Sequence, residues 1–228
     1  MKKNKNAIIC DASSLISLTD AGFLWVVYSL KKKADVFFLM PKKVEYECIT
    51  RPLGIKKYAI HAIRLRDAVN DGILDIVDID VEKEMYKIME ISNNMFYGRE
   101  KPIHIVDAGE AAMIALTKKL GVNNVLIDER MTRMLIENPN DLKKHLEREL
   151  RVNIKVNKKS LASFKEDTKN IFPFRSSEIL AIAYEKGLFG KFQGLEKQAL
   201  EAGLNSLKFN GCAISFEEVG KLMATLKK

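Results

Sequence analysis

Short apolar runs recur along the first half of the chain, separated by stretches whose apolar positions repeat every three or four residues. The clearest runs are Ala-Ile-Ile-Cys (7–10), Val-Phe-Phe-Leu-Met (36–40) and Val-Leu-Ile (125–127). Runs of this length without polar alternation predict strands buried on both faces, the pattern of a parallel sheet. Strands are therefore expected over 7–11, 36–40, 73–79 and 122–128. Helices are expected from near Ser13, after Pro41, over 55–70, from about Val81 to Met95 and over 107–120. Pro41 stands where a helix start tolerates it, and Pro52 is expected to end that helix. Asp71-Gly72 is a turn signal, Gly98 and Pro102 mark a loop, and Gly121 stands where a left-handed helix cap belongs. Alternation of this kind predicts a doubly wound or related α/β sheet.

From about residue 140 the pattern changes. A charged helix (Asp141 to Leu150), a short alternating strand (Val152 to Val156) and a Lys- and Ser-rich connection lead to amphipathic helices near 176–187, 190–203 and 215–227. The expected division is an α/β domain over 1–157 and a helical C-terminal extension over 158–228. That boundary is soft, because the later helices can pack back on the sheet.

Acids stand at the predicted strand ends. Asp11 follows the first apolar run, Asp128 follows Val-Leu-Ile, and Asp107 and Glu110 open the helix before that strand. In open parallel sheets ligands bind just past the carboxyl ends of the strands, where residues distant in sequence converge. Carboxylates gathered without a matching His or Cys set suit a hard divalent cation such as Mg²⁺ or Mn²⁺. Each acid also has an ordinary explanation. Asp11 can cap the helix that follows it, and Asp107 with Glu110 reads as a capping box. Asp128 with Glu129 reads as a solvated strand-end turn. Glu45 and Glu47 lie on the helix after Pro41, and helical periodicity alone does not choose between them.

Four segments carry a resemblance. They are Ile-Ile-Cys-Asp11-Ala-Ser13-Ser-Leu-Ile, Pro41-Lys-Lys-Val-Glu-Tyr-Glu47, Asp107-Ala-Gly-Glu110-Ala-Ala-Met-Ile-Ala-Leu and Val-Leu-Ile-Asp128-Glu-Arg-Met-Thr-Arg133. In this order, over roughly residues 6–137, they resemble the successive motifs of the PIN-domain nuclease superfamily, closest to its uncharacterised prokaryotic branch with a D-x-G-E-A motif. Ile179 to Phe189 resembles a C-terminal helix of that branch. The resemblance implies a three-layer α/β/α sandwich with a central parallel sheet, extended here by C-terminal helices. It also implies Mg²⁺ or Mn²⁺ at the top of the sheet and hydrolysis of single-stranded RNA. By position, it makes Asp11, Glu47, Glu110 and Asp128 the catalytic acids and Asp11, Asp107, Glu110 and Asp128 the metal ligands. Glu47 is preferred to Glu45 because it lies three after Val44. Ser13 takes the small hydroxyl position that orders the site, and Arg133 is the cation placed to reach a phosphate near the metal.

Composition adds a charge. With 38 Lys+Arg against 30 Asp+Glu, the net charge is +8 and favours polyanionic partners. Lys31 to Lys33, Lys42-Lys43, Lys56-Lys57 with Arg64 and Arg66, and Arg130 with Arg133 are the candidate phosphate contacts. Cys10, Cys48 and Cys212 form no Cys-x-x-Cys and read as buried free thiols of a reducing, cytoplasmic compartment. No apolar run reaches 18 residues, so no membrane span is expected, and the basic start is too short an introduction for a signal peptide. A phosphoaspartate hydrolase would want an acid where Ser13 stands, and neither a phosphate-binding Gly-Lys loop nor His-Glu-x-x-His occurs. Two rivals remain at this level. One is a non-catalytic RNA-binding or scaffold subunit of an RNA-processing assembly, and the other is the toxin of a toxin–antitoxin pair held silent by a protein partner. Apolar C-terminal helices leave homodimerisation open.

Overall fold

The structure, a computed structural model, describes residues 6–226, so the basic start (1–5) and the end of the last predicted helix (227) lie outside the described residues. The first apolar run forms β1 (Ala7–Cys10), followed by α1 (Ala12–Asp20), α2 (Leu24–Ala34) and β2 (Phe37–Pro41). Next come α3 (Lys42–Glu45), a π-helical turn (Tyr46–Thr50) and a final turn, α4 (Arg51–Leu53), without a break in helical dihedrals. Pro52 thus sits inside the helix, which was expected to stop before it. A proline there cannot donate to the carbonyl of Cys48 and crowds it, and the wider π turn just before it takes up the misfit.

The chain continues through α5 (Ala59–Asn70), β3 (Leu74–Val77) and α6 (Glu82–Asn93). Around Gly98 the expected loop is a hairpin, β4 (Phe96–Gly98) with β5 (Lys101–Pro102). Then follow α7 (Ala108–Leu120), closed by Gly121 at φ 64°, and β6 (Asn124–Leu126). Beyond it lie α8 (Arg130–Glu137), α9 (Pro139–Leu150), β7 (Ile154–Val156), α10 (Lys158–Thr168) and β8 (Phe172–Phe174). The described chain ends with α11 (Ser176–Glu185), a 3-10 turn (Leu188–Phe192), α12 (Glu196–Phe209) and α13 (Phe216–Thr225).

Five strands form one wholly parallel sheet in the order β3-β2-β1-β6-β8. A second, antiparallel sheet of three short strands has the order β5-β4-β7. Helices cover both faces of the main sheet and divide the core in two. Cys10, Phe38, Met40 and Leu126 pack with α1, α2, α5, α11 and α12 on one side. Ile9, Val125 and Ile127 pack with α6 to α10 on the other. This is the three-layer α/β/α sandwich with added C-terminal helices that the sequence predicts. The segment after 157 nevertheless also supplies β8, the edge strand beside β6. Three residues with a central proline give no strand signal, and an edge is where a strand tolerates the missing N–H. Among the described residues no single helix is long and apolar enough to cross a membrane.

Candidate active site

In the main sheet β1 connects to β2 on one side and pairs with β6 on the other, so the strand order reverses between β1 and β6. Ligand crevices of open α/β sheets form at the carboxyl end of such a reversal. Asp11 stands there, one residue past β1, with its N–H donated to the Leu126 carbonyl at 2.9 Å. It caps α1 and is 4% exposed. Ser13 donates its N–H (3.0 Å) and its hydroxyl (2.6 Å) to Asp11 Oδ2, and its Oγ accepts the Asp128 N–H at 3.1 Å. Ser13 thereby ties the ends of β1 and β6 together, the ordering place the resemblance gives it.

Glu110 lies on the first turn of α7, 8% exposed, its Oε2 accepting the Asp107 N–H at 2.5 Å. Burial and then the Asp11 charge push its pKa up to about 9, with Glu129 and Asp107 adding to the rise. Asp11 is itself held above the usual carboxylate range: burial raises it, the Ser13 hydrogen bonds oppose, and Glu129 raises it further. Glu47 shifts the same way, through burial and the Asp11 charge, against the pull of Lys43 and Arg51.

Glu45 and Glu47 lie in different surroundings. Glu45 accepts the Thr50 hydroxyl at 2.6 Å on the exposed side of its helix. Glu47 lies in the π turn and reaches over the first turn of α7, where a Cβ on Gly109 would collide with its Oε2. The glycine of Asp107-Ala-Gly-Glu110 is thus the gap that admits Glu47. Asp107 stays at the margin: its Oδ1 pairs with His104 Nε2 at 2.6 Å and its side chain is mostly exposed.

Asp128, expected as the fourth acid of the site, has its carboxylate engaged by α11: fully buried, it accepts the Ser176 N–H (2.8 Å) and hydroxyl (2.6 Å). Beside it, burial and the Asp128 charge push the Cys212 thiol up to about 11. The cause is the alternation of an extended chain. Leu126 faces the α1 and α11 side with Cys10, while Val125 and Ile127 face the α7 side. Asp128 continues the Leu126 phase, and Glu129 continues the Ile127 phase. It is Glu129 whose charge bears on both Asp11 and Glu110. Glu129 also caps α8, accepting the Met131 and Thr132 N–H groups at 2.8 and 2.6 Å. In the sequence Glu129 reads as a turn residue, and the phase of the strand finds it only once β1 and β6 are in register.

Arg133 is mostly buried and paired with Glu137 at 2.8 Å, one turn further along α8, while its Nε is buried without a hydrogen-bond partner among the described residues. Arg130 is the exposed cation of that segment. Cys10, Cys48 and Cys212 are buried and free, and burial together with the Asp11 charge pushes the thiols of Cys10 and Cys48 upward.

Asp11, Glu47, Glu110 and Glu129 thus share a rim at the reversal of a parallel sheet, with Asp107 beside them. A family model described as a PIN domain matches residues 7–140, which includes all five acids, and the chain belongs to that family. PIN domains are typically nucleases and generally use divalent metal ions, which puts the chain among nuclease-like proteins. No curated protein and no solved structure matches the chain.

Among the described residues no three acidic, His or Cys side chains stand ready to ligate one ion. The chemistry of the rim still fits a cation. Its donors are hard oxygens, and the charges that raise one another's pKa are what a divalent ion would offset. Mg²⁺ commonly takes only one or two carboxylates directly and keeps several waters, so a set held apart in this way suits outer-shell binding.

Proposed function

We propose that the chain is a divalent-metal-dependent ribonuclease acting on single-stranded RNA in a reducing, cytoplasmic setting. Asp11, Glu47, Glu110 and Glu129 are its acidic centre. The observation that carries this reading is the upward pressure on Asp11, Glu47 and Glu110 from burial and from one another in a protein of net charge +8. Such acids are held together at a cost in stability, and structural roles alone would not need so many in one place. Mg²⁺ or Mn²⁺ held by Asp11 and Glu110 would supply a Lewis acid for the scissile phosphate and a more acidic bound water. The chain contributes the rest. Ser13 fixes Asp11, the Gly109 gap seats Glu47, and exposed Lys43, Arg51 and Arg130 hold the strand by its phosphates.

A second reading has its own support. Glu110 and Glu129 both satisfy backbone N–H groups at helix starts, as they would in a non-catalytic RNA-binding scaffold. One assay separates the two. Purified protein with Mn²⁺ should cut an unstructured fluorogenic RNA, and EDTA should stop it. RNA binding that weakens with salt, without cleavage under either Mg²⁺ or Mn²⁺, would favour the scaffold.

A further inference from the structure

We infer that the cavity beside the acid rim receives one unpaired nucleobase of the bound strand, recognised by Tyr58 and His61. This builds on reading the rim as a nuclease centre, since it takes from that reading where the strand runs. The cavity has a volume of 330 Å³ and shares Glu47 with the rim, near the lower end of ligand sites at roughly 300–1,000 Å³. Ile16 and Ile55 provide apolar wall, and Arg51 lines the cavity close enough to Glu47 for its charge to act on that carboxylate.

Two features select a base over other guests. Tyr58 lines the cavity with 41% of its surface exposed, its ring 5.9 Å from that of His61. Lys57 lies 5.1 Å from the Tyr58 ring centre. An exposed aromatic face flanked by cations is how proteins stack single-stranded bases. The second feature is His61, only 4% exposed, whose Nε2 is buried without a hydrogen-bond partner among the described residues. Buried polar atoms left in this condition ordinarily answer to a ligand or water. Asp20 Oδ1 lies 3.5 Å from Nδ1 and favours the proton on that nitrogen, leaving Nε2 as an acceptor. The donors it seeks are the amino and imino N–H groups of bases. A paired base still shows one amino N–H in a groove, so the selection for single strands comes from Tyr58, which can stack only on a base face that is free of a duplex.

The test titrates the full chain, in EDTA, with cytidine and adenosine 5′-monophosphates and follows the imidazole NMR signals. The His61 signal is assigned by its loss in His61→Gln, and binding is measured in parallel for Tyr58→Ala. The inference expects the His61 signal to move and Tyr58→Ala to weaken binding about tenfold. With single-stranded RNA and Mn²⁺, Tyr58→Ala should raise KM while kcat stays near the parent's. A silent His61, a shift confined to His104 or His145, or parent-like binding by Tyr58→Ala would each overturn the inference. Tyr58 is exposed, so its variant reads the cavity even if His61→Gln fails to fold. An RNA that is never cut while His61 responds would bring down the nuclease reading and leave the cavity standing. Cleavage with no His61 response would do the reverse.

Discussion

Two groups of acids lie on either side of the end of β6, and their electrostatic settings are opposite. On the α7 side, Asp11, Glu47 and Glu110 sit partly or wholly out of water, and each is pushed upward by burial and by a neighbouring acid. On the α11 side three acids have donors. Asp128 takes two bonds from Ser176, Glu178 pairs with Arg175 at 2.6 Å, and Glu218 takes Arg175 at 2.8 Å and the Ser215 N–H. Glu218 ends near pKa 2: burial alone would raise it, and the bonds from Arg175 and Ser215 more than offset that. The lesson is that burial and acidity do not by themselves mark a functional carboxylate. Rim acids accept hydrogen bonds too, so what sets them apart is that their charged neighbours are other acids, and acids that repel one another await a partner from outside.

The comparison breaks first if the repelling group proves dispensable. Asp11→Asn and Glu110→Gln should each lower Mn²⁺-dependent RNA cleavage by at least about a hundredfold, the scale on which single electrostatic groups act in catalysis. Thermal melts should show both variants folded, because either amide still accepts the hydrogen bonds its carboxylate accepts. Parent-like cleavage by both would remove the rim from any chemistry.

Neighbouring Asp128 and Glu129 sharpen it next. Glu129→Gln should reduce cleavage as Asp11→Asn does, with a smaller loss of stability through the α8 cap. Asp128→Asn should act on the fold instead. It sets an amide against the Ser176 N–H and hydroxyl, which should cost about 1–3 kcal/mol in a urea titration. The folded fraction should keep its specific activity. The opposite pattern would return Asp128 to the site and discard the alternation that separates the two.

That pair also marks how far sequence carried. Strands β1, β2 and β6, the helices between them and the position of Asp11 were legible because buried parallel strands write themselves as apolar runs, and β3 because Asp71-Gly72 announces it. The same property hid the facing of the acids. A strand apolar on both sides does not reveal which phase points to which layer, and only the pairing of Cys10 with Leu126 shows that Asp128 and Asp11 part company. Glu47 over Glu45 rested on resemblance, because a π turn shifts the helical phase that a regular periodicity assumes. β8 was invisible for want of residues: three positions around a proline carry no period.

A milder test uses pH and metal. Glu110 is raised from its ordinary 4.5 to about 9, so between these values the folded state binds more protons than the unfolded one. Stability in EDTA should therefore fall as pH rises across that window, with Asp11 and Glu47 contributing in the same direction. Glu110→Gln should flatten the slope. Mn²⁺ should raise the melting temperature at pH 8 and do little at pH 5, where protons compete for the same oxygens. A metal at a hundred times its Kd contributes about 2.7 kcal/mol. A melting temperature indifferent to Mn²⁺ at pH 8 would count against a cation at the rim.

The smallest effect belongs to the other side of the comparison. Glu218 has its pKa lowered in the fold, so its contribution is complete above its ordinary 4.5 and is lost as pH falls through about 2. Arg175 joins this carboxylate to Glu178 and to the Ala213 carbonyl, and so ties α11 to the start of α13. Glu218 is nevertheless close to half exposed, and solvent screens such a pair. Glu218→Gln should therefore cost less than about 1 kcal/mol at pH 7, without touching cleavage. The same variant measured at pH 2 should differ from the parent by less still, since protonation has by then begun to break the pair. A gap that widened on acidification would mean the contact disfavours the folded state, and the contrast between ion-paired and mutually repelling acids would lose its quieter half.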